Sequence, residues 1–258
     1  MSNGIAVRKC GALEEFHACV ELQRKVWGES DLEIEPVTGF VVAAHTGGQV
    51  LGAFEGDKLV GYTLALVGFR DGIVYLHSHH TGVHQDYRDR GVGRRLKLFQ
   101  REEALSRGIR FVQWTFDPLE LRNAHFNLNR LGAICRHYKP NLYGITTSPL
   151  HRGLATDRLL AQWQLDSPRV ITAINGLADG LADGLASGVA KEAPGAGAEI
   201  ELPGDLEQWK QSAPEQVKRA QDRIRAEFTN WFARGYAAVG IRETPTGAAY
   251  LLDPWSDF

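Results

Sequence analysis

The sequence predicts an α/β fold: a sheet that contains an antiparallel meander, helices packed on it, and a carboxyl-terminal α/β extension. Three observations carry this. Helical and strand periodicities alternate over the first 150 residues. A Gly56-Asp57 pair sits between two apolar runs. A further helical stripe and two strand-like runs follow a break in composition near residue 175.

Ile5 to Cys10 reads as a short strand, after which Leu13, Phe16, Val20, Leu22, Val26 and Trp27 recur at helical spacing until Gly28. A shorter apolar element spans Val37 to His45. The run from Val50 to Phe69 folds back on Gly56-Asp57, a pairing suited to a tight turn, and begins the meander. Ile73 to Val83 continues as a strand. A charged loop then leads into a helix whose apolar face is Leu96, Leu98, Phe99 and Leu105. Arg110 to Phe116 lacks clean alternation, as a strand buried on both faces does, and Asp117-Pro118 end it. The next helix, from Leu119, stops at Gly132 in a left-handed cap, and Ala133 to Tyr138 resumes strand character.

Between Gly176 and Ser187 the unit Gly-Leu-Ala-Asp recurs in near-copies and a Gly/Pro/Ala stretch follows, the composition of a linker or exposed loop. Asp179 and Asp183 within it lack further carboxylates at ligand spacing. Beyond it, Ser212 and Glu215 have capping-box spacing with Pro214 in the first turn. Val217, Ala220, Ile224, Phe228 and Trp231 form a helical stripe, and Gly235 ends it. Tyr236 to Asp253 reads as a hairpin around Pro245 to Gly247.

No window approaches 18 uninterrupted apolar residues, and the amino terminus lacks the apolar core of a signal peptide, so a cytoplasmic protein with no membrane partner is expected. Cys10, Cys19 and Cys135 have neither paired nor metal-type spacing, which argues against a disulfide scaffold and a zinc ribbon. A formal charge of −2 and a pI near 6.5 provide no basic field for nucleic acid, so any use of arginine is local. The assembly state, a homodimer included, is left open.

The loop from Val83 to Gly93 poses the functional question, because two glycines among basic residues are a costly way to begin a helix. Free N–H groups at a helix start bind anions. Gly91 and Gly93 let phosphates approach the backbone, and Arg88, Arg90, Arg94 and Arg95 add charge nearby. A solvated, flexible arginine loop is the competing reading. A P-loop does not fit, since Arg94 and Arg95 follow Gly93. Nor does a dinucleotide fingerprint, since Leu96 stands where a third glycine belongs.

The stretch GVHQDYRDRGVGRRL resembles the acyl-CoA-binding signature of the GNAT superfamily of N-acetyltransferases, Gln/Arg-x-x-Gly-x-Gly/Ala, carried here by Arg88, Gly91 and Gly93. The likeness covers roughly residues 4 to 163. WTFDPLELRNAHFNLNRLGA further resembles a group of predicted GNAT proteins of undefined substrate. The resemblance implies a mixed, mostly antiparallel sheet flanked by helices. Residues 1–165 would be the acyl-CoA-binding domain and 166–258 the extension, with a Gly/Ala-rich linker at about 175–199. It implies a pyrophosphate held by amides of the segment Arg88, Asp89, Arg90, Gly91, Val92, Gly93 and Arg94. Pantetheine would run between two parting parallel strands, bonded to backbone near Thr81 and Val83, with Asn123 as a further contact. Acetyl-CoA or another acyl-CoA is the implied co-substrate, with no metal.

Direct attack of an amine on a thioester needs a neutral amine, an oriented carbonyl and a route for two protons, so a covalent nucleophile at Cys135 or Ser78 is not required. Strand alternation places His77 and His79 on one face and His80 on the other. His79 is the preferred base. A hydrogen-bonded core histidine is the competing reading for each, and His77 with His79 also has the geometry of two imidazole ligands on a strand. Asp117 is a candidate to receive the substrate ammonium or, alternatively, a turn-starting aspartate. Many members of the family carry a tyrosine four residues before the glycine that ends the next helix; here that residue is Leu128, and Tyr143 is the nominated thiolate acid. The function expected is acyl transfer to a primary amine of a small molecule such as an amino acid. A succinyl-CoA-dependent N-succinyltransferase and a non-catalytic CoA sensor or scaffold remain the alternatives.

Overall fold

A computed structural model describes residues 4–28, 30–148, 153–176 and 197–256. The chain packs as two compact units, Met1–Trp114 with Ile145–Gly153, and Thr115–Gly144 with Leu154–Phe258. The Gly-Leu-Ala-Asp repeat with Asp179 and Asp183, and nearly all of the expected linker, fall outside the described residues.

The first unit runs β1 (Ile5–Lys9), α1 (Leu13–Trp27), α2 (Val37–His45), β2 (Gln49–Glu55), β3 (Lys58–Arg70), β4 (Ile73–Val83), α3 (Val92–Ser106) and the start of β5 (Phe111–Phe116). The strands lie in that order; β1 to β4 pair antiparallel and β5 joins β4 in parallel. Strand alternation sends Val50, Phe54, Tyr62 and Leu64 to the face covered by Phe16, Cys19, Val20 and Phe40 of α1 and α2. Leu51 and Ala53 face the other way, onto Val92 and Leu96 of α3. Gly28 ends α1 at φ 63, its N–H donating to the Arg24 carbonyl. The segment 145–148 clasps the α1–α2 loop: the Thr147 N–H and hydroxyl donate to Glu33 at 2.9 and 2.8 Å, and the Ser148 hydroxyl to the Trp27 carbonyl at 3.1 Å.

Sequence periodicity misreads α3. Its buried stripe is Val92, Leu96, Lys97, Gln100, Glu103 and Ala104, while Leu98, Phe99 and Leu105 are only half buried. Three polar residues share the covered side because they satisfy one another. The Gln100 amide donates to Gln49 at 3.0 Å, Gln49 donates to Glu103, and Lys9 and Arg107 reach Glu103 at 2.5 and 2.8 Å.

In the second unit, α4 (Leu121–His125) passes into a π-helical turn at Phe126–Arg130, followed by β6 (Ile134–Lys139), β7 (Arg158–Gln164), α5 (Pro168–Asn175), β8 (Ala198–Pro203), α6 (Leu206–Ser212), α7 (Pro214–Ala233), β9 (Tyr236–Thr244) and β10 (Gly247–Pro254). Here the strand order is β7-β6-β9-β10-β8, antiparallel throughout. Phe228 of α7 packs on Tyr250 and Tyr138, with ring centroids 5.0 and 5.8 Å away. Ser212 is not the cap of α7. It closes α6, its hydroxyl donating to the Gln208 carbonyl, and Ala213 stands at the N-cap. Sequence reading did not find β7, α5, β8 or α6. Ser167, whose hydroxyl accepts the Val170 N–H ahead of Pro168, was the legible sign of α5.

Candidate active site

The entrance to α3 is built from two left-handed residues, Asp89 at φ 59 and Gly91 at φ 72, which turn the chain twice in three residues. Gly91 is the N-cap, and the first helical bond runs from the Arg95 N–H to the Gly91 carbonyl, so the amides of Val92 and Gly93 point out of the helix end. A Cβ on Gly93 would meet nothing nearer than Val83 Cγ2 at 3.8 Å. Nothing in the protein therefore demands glycine there; the missing side chain leaves the Gly93 backbone open to close approach, which fits an anion held against it. Arg88 Nε donates to the Val83 carbonyl at 3.4 Å and ties the loop to the end of β4. Arg90 lies over the Tyr87 ring, while Arg95 turns away to the Ile5 carbonyl at 2.5 Å. Thr81 pairs its hydroxyl with that of Thr63 at 3.2 Å.

Parallel pairing between β4 and β5 is confined, among the described residues, to Leu76 with Val112 and His77 with Gln113. Past that point the strands part. A bulge in the β3–β4 ladder coincides with the parting: His80 pairs with Leu64, and Ser78 with Ala65, leaving His79 as an extra residue. The bulge overturns the expected alternation. His77, opposite Leu66, keeps to the face of Leu64, and the rings of His79 and His80 stack at 4.0 Å and 24° instead of pointing to opposite faces. All three imidazoles thus gather on the α1–α2 face, where His80 meets Trp27 and the Tyr62 hydroxyl.

Burial works against charge on each ring. It holds His77 at about 4 and His80 at about 3, helped by the neighbouring imidazoles and, for His77, by Lys97. His79 is also lowered by burial, but Glu35 pulls it back up, with Oε2 3.8 Å from Nε2. The sequence offered no sign of Glu35 beyond its place before Pro36. Its backbone is fixed by two bonds to the Gln23 side chain, at 3.0 and 3.1 Å, and its carboxylate fills the space a side chain on Gly39 would need. A glycine inside a helix was the signal that could have found it.

The profile of the acetyltransferase (GNAT) family matches residues 15–132. Residues 15–132 are a GNAT acetyltransferase domain. Solved structures similar to the chain include the ribosomal-protein-S18-alanine N-acetyltransferase from Escherichia coli, at 12% identity and a TM-score of 0.51, covering 63% of this chain and 95% of that one. Another is yncA from Salmonella typhimurium with its cofactor acetyl-CoA, at 19% identity and a TM-score of 0.50, covering 64% and 96%. A third is smu.2055 from Streptococcus mutans UA159, at 21% identity and a TM-score of 0.51, covering 62% and 99%. At these identities the likeness shows the GNAT fold. No curated protein matches the sequence.

Of the remaining candidates, Asp117 and Asn123 lie within the GNAT match and Tyr143 beyond it; all three belong to the second compact unit and His79 to the first. Asp117 accepts the Leu119 N–H at 2.8 Å, the turn-starting bond, and faces Arg158 at 3.9 Å. Burial raises its pKa, against the pull of that bond and that arginine. Asn123 accepts from Asn127 at 3.2 Å. Asn129 pairs both side-chain groups with the Ile241 backbone, at 2.9 and 3.0 Å. Tyr143 is 48% exposed and its hydroxyl lies 3.0 Å from that of Thr115. Leu128 is buried. Cys10, Cys19 and Cys135 are free and buried, and burial raises the Cys135 thiol. Among the described residues, no three His, Cys, Asp or Glu side chains are arranged to hold a metal ion, and no helix is long and apolar enough to cross a membrane.

Proposed function

We propose that this GNAT domain moves an acyl group, acetyl in the simplest case, from a CoA thioester to the primary amine of a small molecule such as an amino acid, by direct attack in a ternary complex. The observation that carries the reading is the α3 entrance, where the Val92 and Gly93 amides have no intrahelical acceptor and a Cβ on Gly93 would meet only Val83, at 3.8 Å. The pyrophosphate would lie across Arg88 to Arg94, and the thioester would run into the parting of β4 and β5 past Thr81 and Val83. His79, held neutral by its surroundings, accepts the proton released as the amine nitrogen bonds to the carbonyl carbon. Asp117 is assigned to the acceptor's ammonium group and Asn123 to a donor contact.

A thiol-release screen tests this: acetyl-CoA and succinyl-CoA against amino acids, simple amines and peptide N-termini. Steady release with a small amine and acetyl-CoA is expected. Release only with succinyl-CoA would reassign the donor, and release only with peptides would reassign the acceptor. Tight CoA binding without turnover across the panel would make the protein a sensor.

A further inference from the structure

Where β4 and β5 separate, the first residue past the last pair is Ser78 on one strand and Trp114 on the other. A cation lies at that vertex. Lys97 reaches it from α3, with Nζ 2.7 Å from the Ser78 hydroxyl, 3.0 Å from Gln100 Oε1 and 4.0 Å from the Trp114 ring centre. Its side chain is almost wholly buried, and no carboxylate is paired with it in the described ion pairs. Glu103, the nearest acid along the same face of α3, is taken up by Lys9, Arg107 and Gln49. From β4, His77 is the titratable group that feels Lys97. A buried amine without a counter-charge is expensive, and this one is held by neutral acceptors that leave its protonation adjustable.

We propose that Lys97 donates the proton to the departing CoA thiolate. This rests on the acyl-CoA reading above and names a residue that reading lacked. Once the amine nitrogen has bonded to the carbonyl carbon, the carbon–sulfur bond breaks and its electron pair stays on sulfur. The Lys97 ammonium then protonates that sulfur, becomes the neutral amine, and is recharged from solvent after product leaves. Burial lowers the Lys97 amine to about 7. A thiolate forming beside the buried amine raises that amine again, so the ammonium is present as sulfur departs and the pair shares one proton close to neutrality. Tyr143, the phenol nominated by sequence, is half exposed.

The test needs no acceptor. CoA is bound to the full-length protein, and the ionisation of its thiol is followed by ultraviolet thiolate absorbance against pH. In the wild type the bound thiol is expected to titrate about 1–3 pH units below free CoA, because an ammonium beside the sulfur favours thiolate. Lys97→Met should still bind CoA but lose that depression, and Tyr143→Phe should keep it. A bound thiol that titrates as in free CoA in the wild type overturns the assignment even if the Met variant does not fold. So does a depression that survives Lys97→Met. Acetylation of Lys97 itself by acetyl-CoA, read by peptide mass, also overturns it, since an amide nitrogen has no such proton to give. If the wild type binds no CoA at all, the acyl-CoA reading fails first.

Discussion

Glu35 Oε2 stands 3.8 Å from His79 Nε2, a carboxylate of the α1–α2 loop set against an imidazole that belongs to a strand bulge. Negative charge there favours imidazolium, so it raises a pKa that burial lowers. With His79 as the proposed base, turnover should fall as the ring takes up a proton below that lowered pKa. Removing the charge should move the fall to lower pH. Glu35→Gln is expected to shift the acidic limb of kcat/KM down by roughly 0.5–1 pH unit, the size expected of a partly screened charge at this distance. His79→Gln should lower kcat by about 100-fold or more with little change in donor KM. An acidic limb that stays in place in Glu35→Gln would detach the carboxylate from the base.

Gly93→Ala tests the anion cradle with little disturbance to the fold, because the new methyl group meets Val83 only at 3.8 Å. Donor KM should rise about 10- to 100-fold, equivalent to the loss of one charge-assisted hydrogen bond, with the melting temperature unchanged. Steady-state kinetics and thermal unfolding on the same samples separate the two effects. An unaltered donor KM would place the phosphates elsewhere.

Lys97 also makes a prediction about stability. Its amine is held at about 7 in the folded chain, against 10.5 for a lysine exposed to water. Between those values the unfolded chain keeps a proton that the folded chain has released, so unfolding free energy rises with pH across that window and carries the full penalty below it. Urea titrations at about pH 7 and about pH 9.5, the two ends of the accessible window, should show the wild type gaining stability relative to Lys97→Met. Parallel behaviour of the two proteins would mean the buried amine stays charged.

In the second unit, Asp157 is fully buried and accepts from the Tyr138 hydroxyl at 2.7 Å, the Asn141 N–H at 2.9 Å and Arg225 at 2.8 and 3.1 Å. Removing one member of such a set leaves the others desolvated. Asp157→Ala should cost about 3–5 kcal/mol in urea unfolding. A loss below about 1 kcal/mol would show that the cluster is loosely held.

Much of the turn and cap chemistry could be read locally. Gly28 and Gly132 stop helices at positive φ, Gly56-Asp57 turns a hairpin, and Gly91 and Gly93 announce the α3 entrance, because each depends on backbone freedom at one position. What escaped depends on partners distant in sequence. Lys97 reads as a solvated basic residue on a helix, and its burial follows only from Ser78 and Trp114 closing over it. Glu35 becomes informative only once Gly39 is seen to make room for it. The π-helical turn, in which the Leu131 N–H reaches the Phe126 carbonyl, leaves helical periodicity almost intact and so leaves no trace in a pattern of apolar residues.

The supernumerary residue at His79 makes the grouping of three rings a matter of parity. In a regular ladder two of the rings would share a face and the third would be sent through to the α3 side. Losing one position between His77 and Thr81 would restore that regularity, evicting an imidazole from the α1–α2 face while leaving the remaining strand order intact. For this domain, counting residues along β4 decides where the imidazoles sit at least as strongly as choosing them.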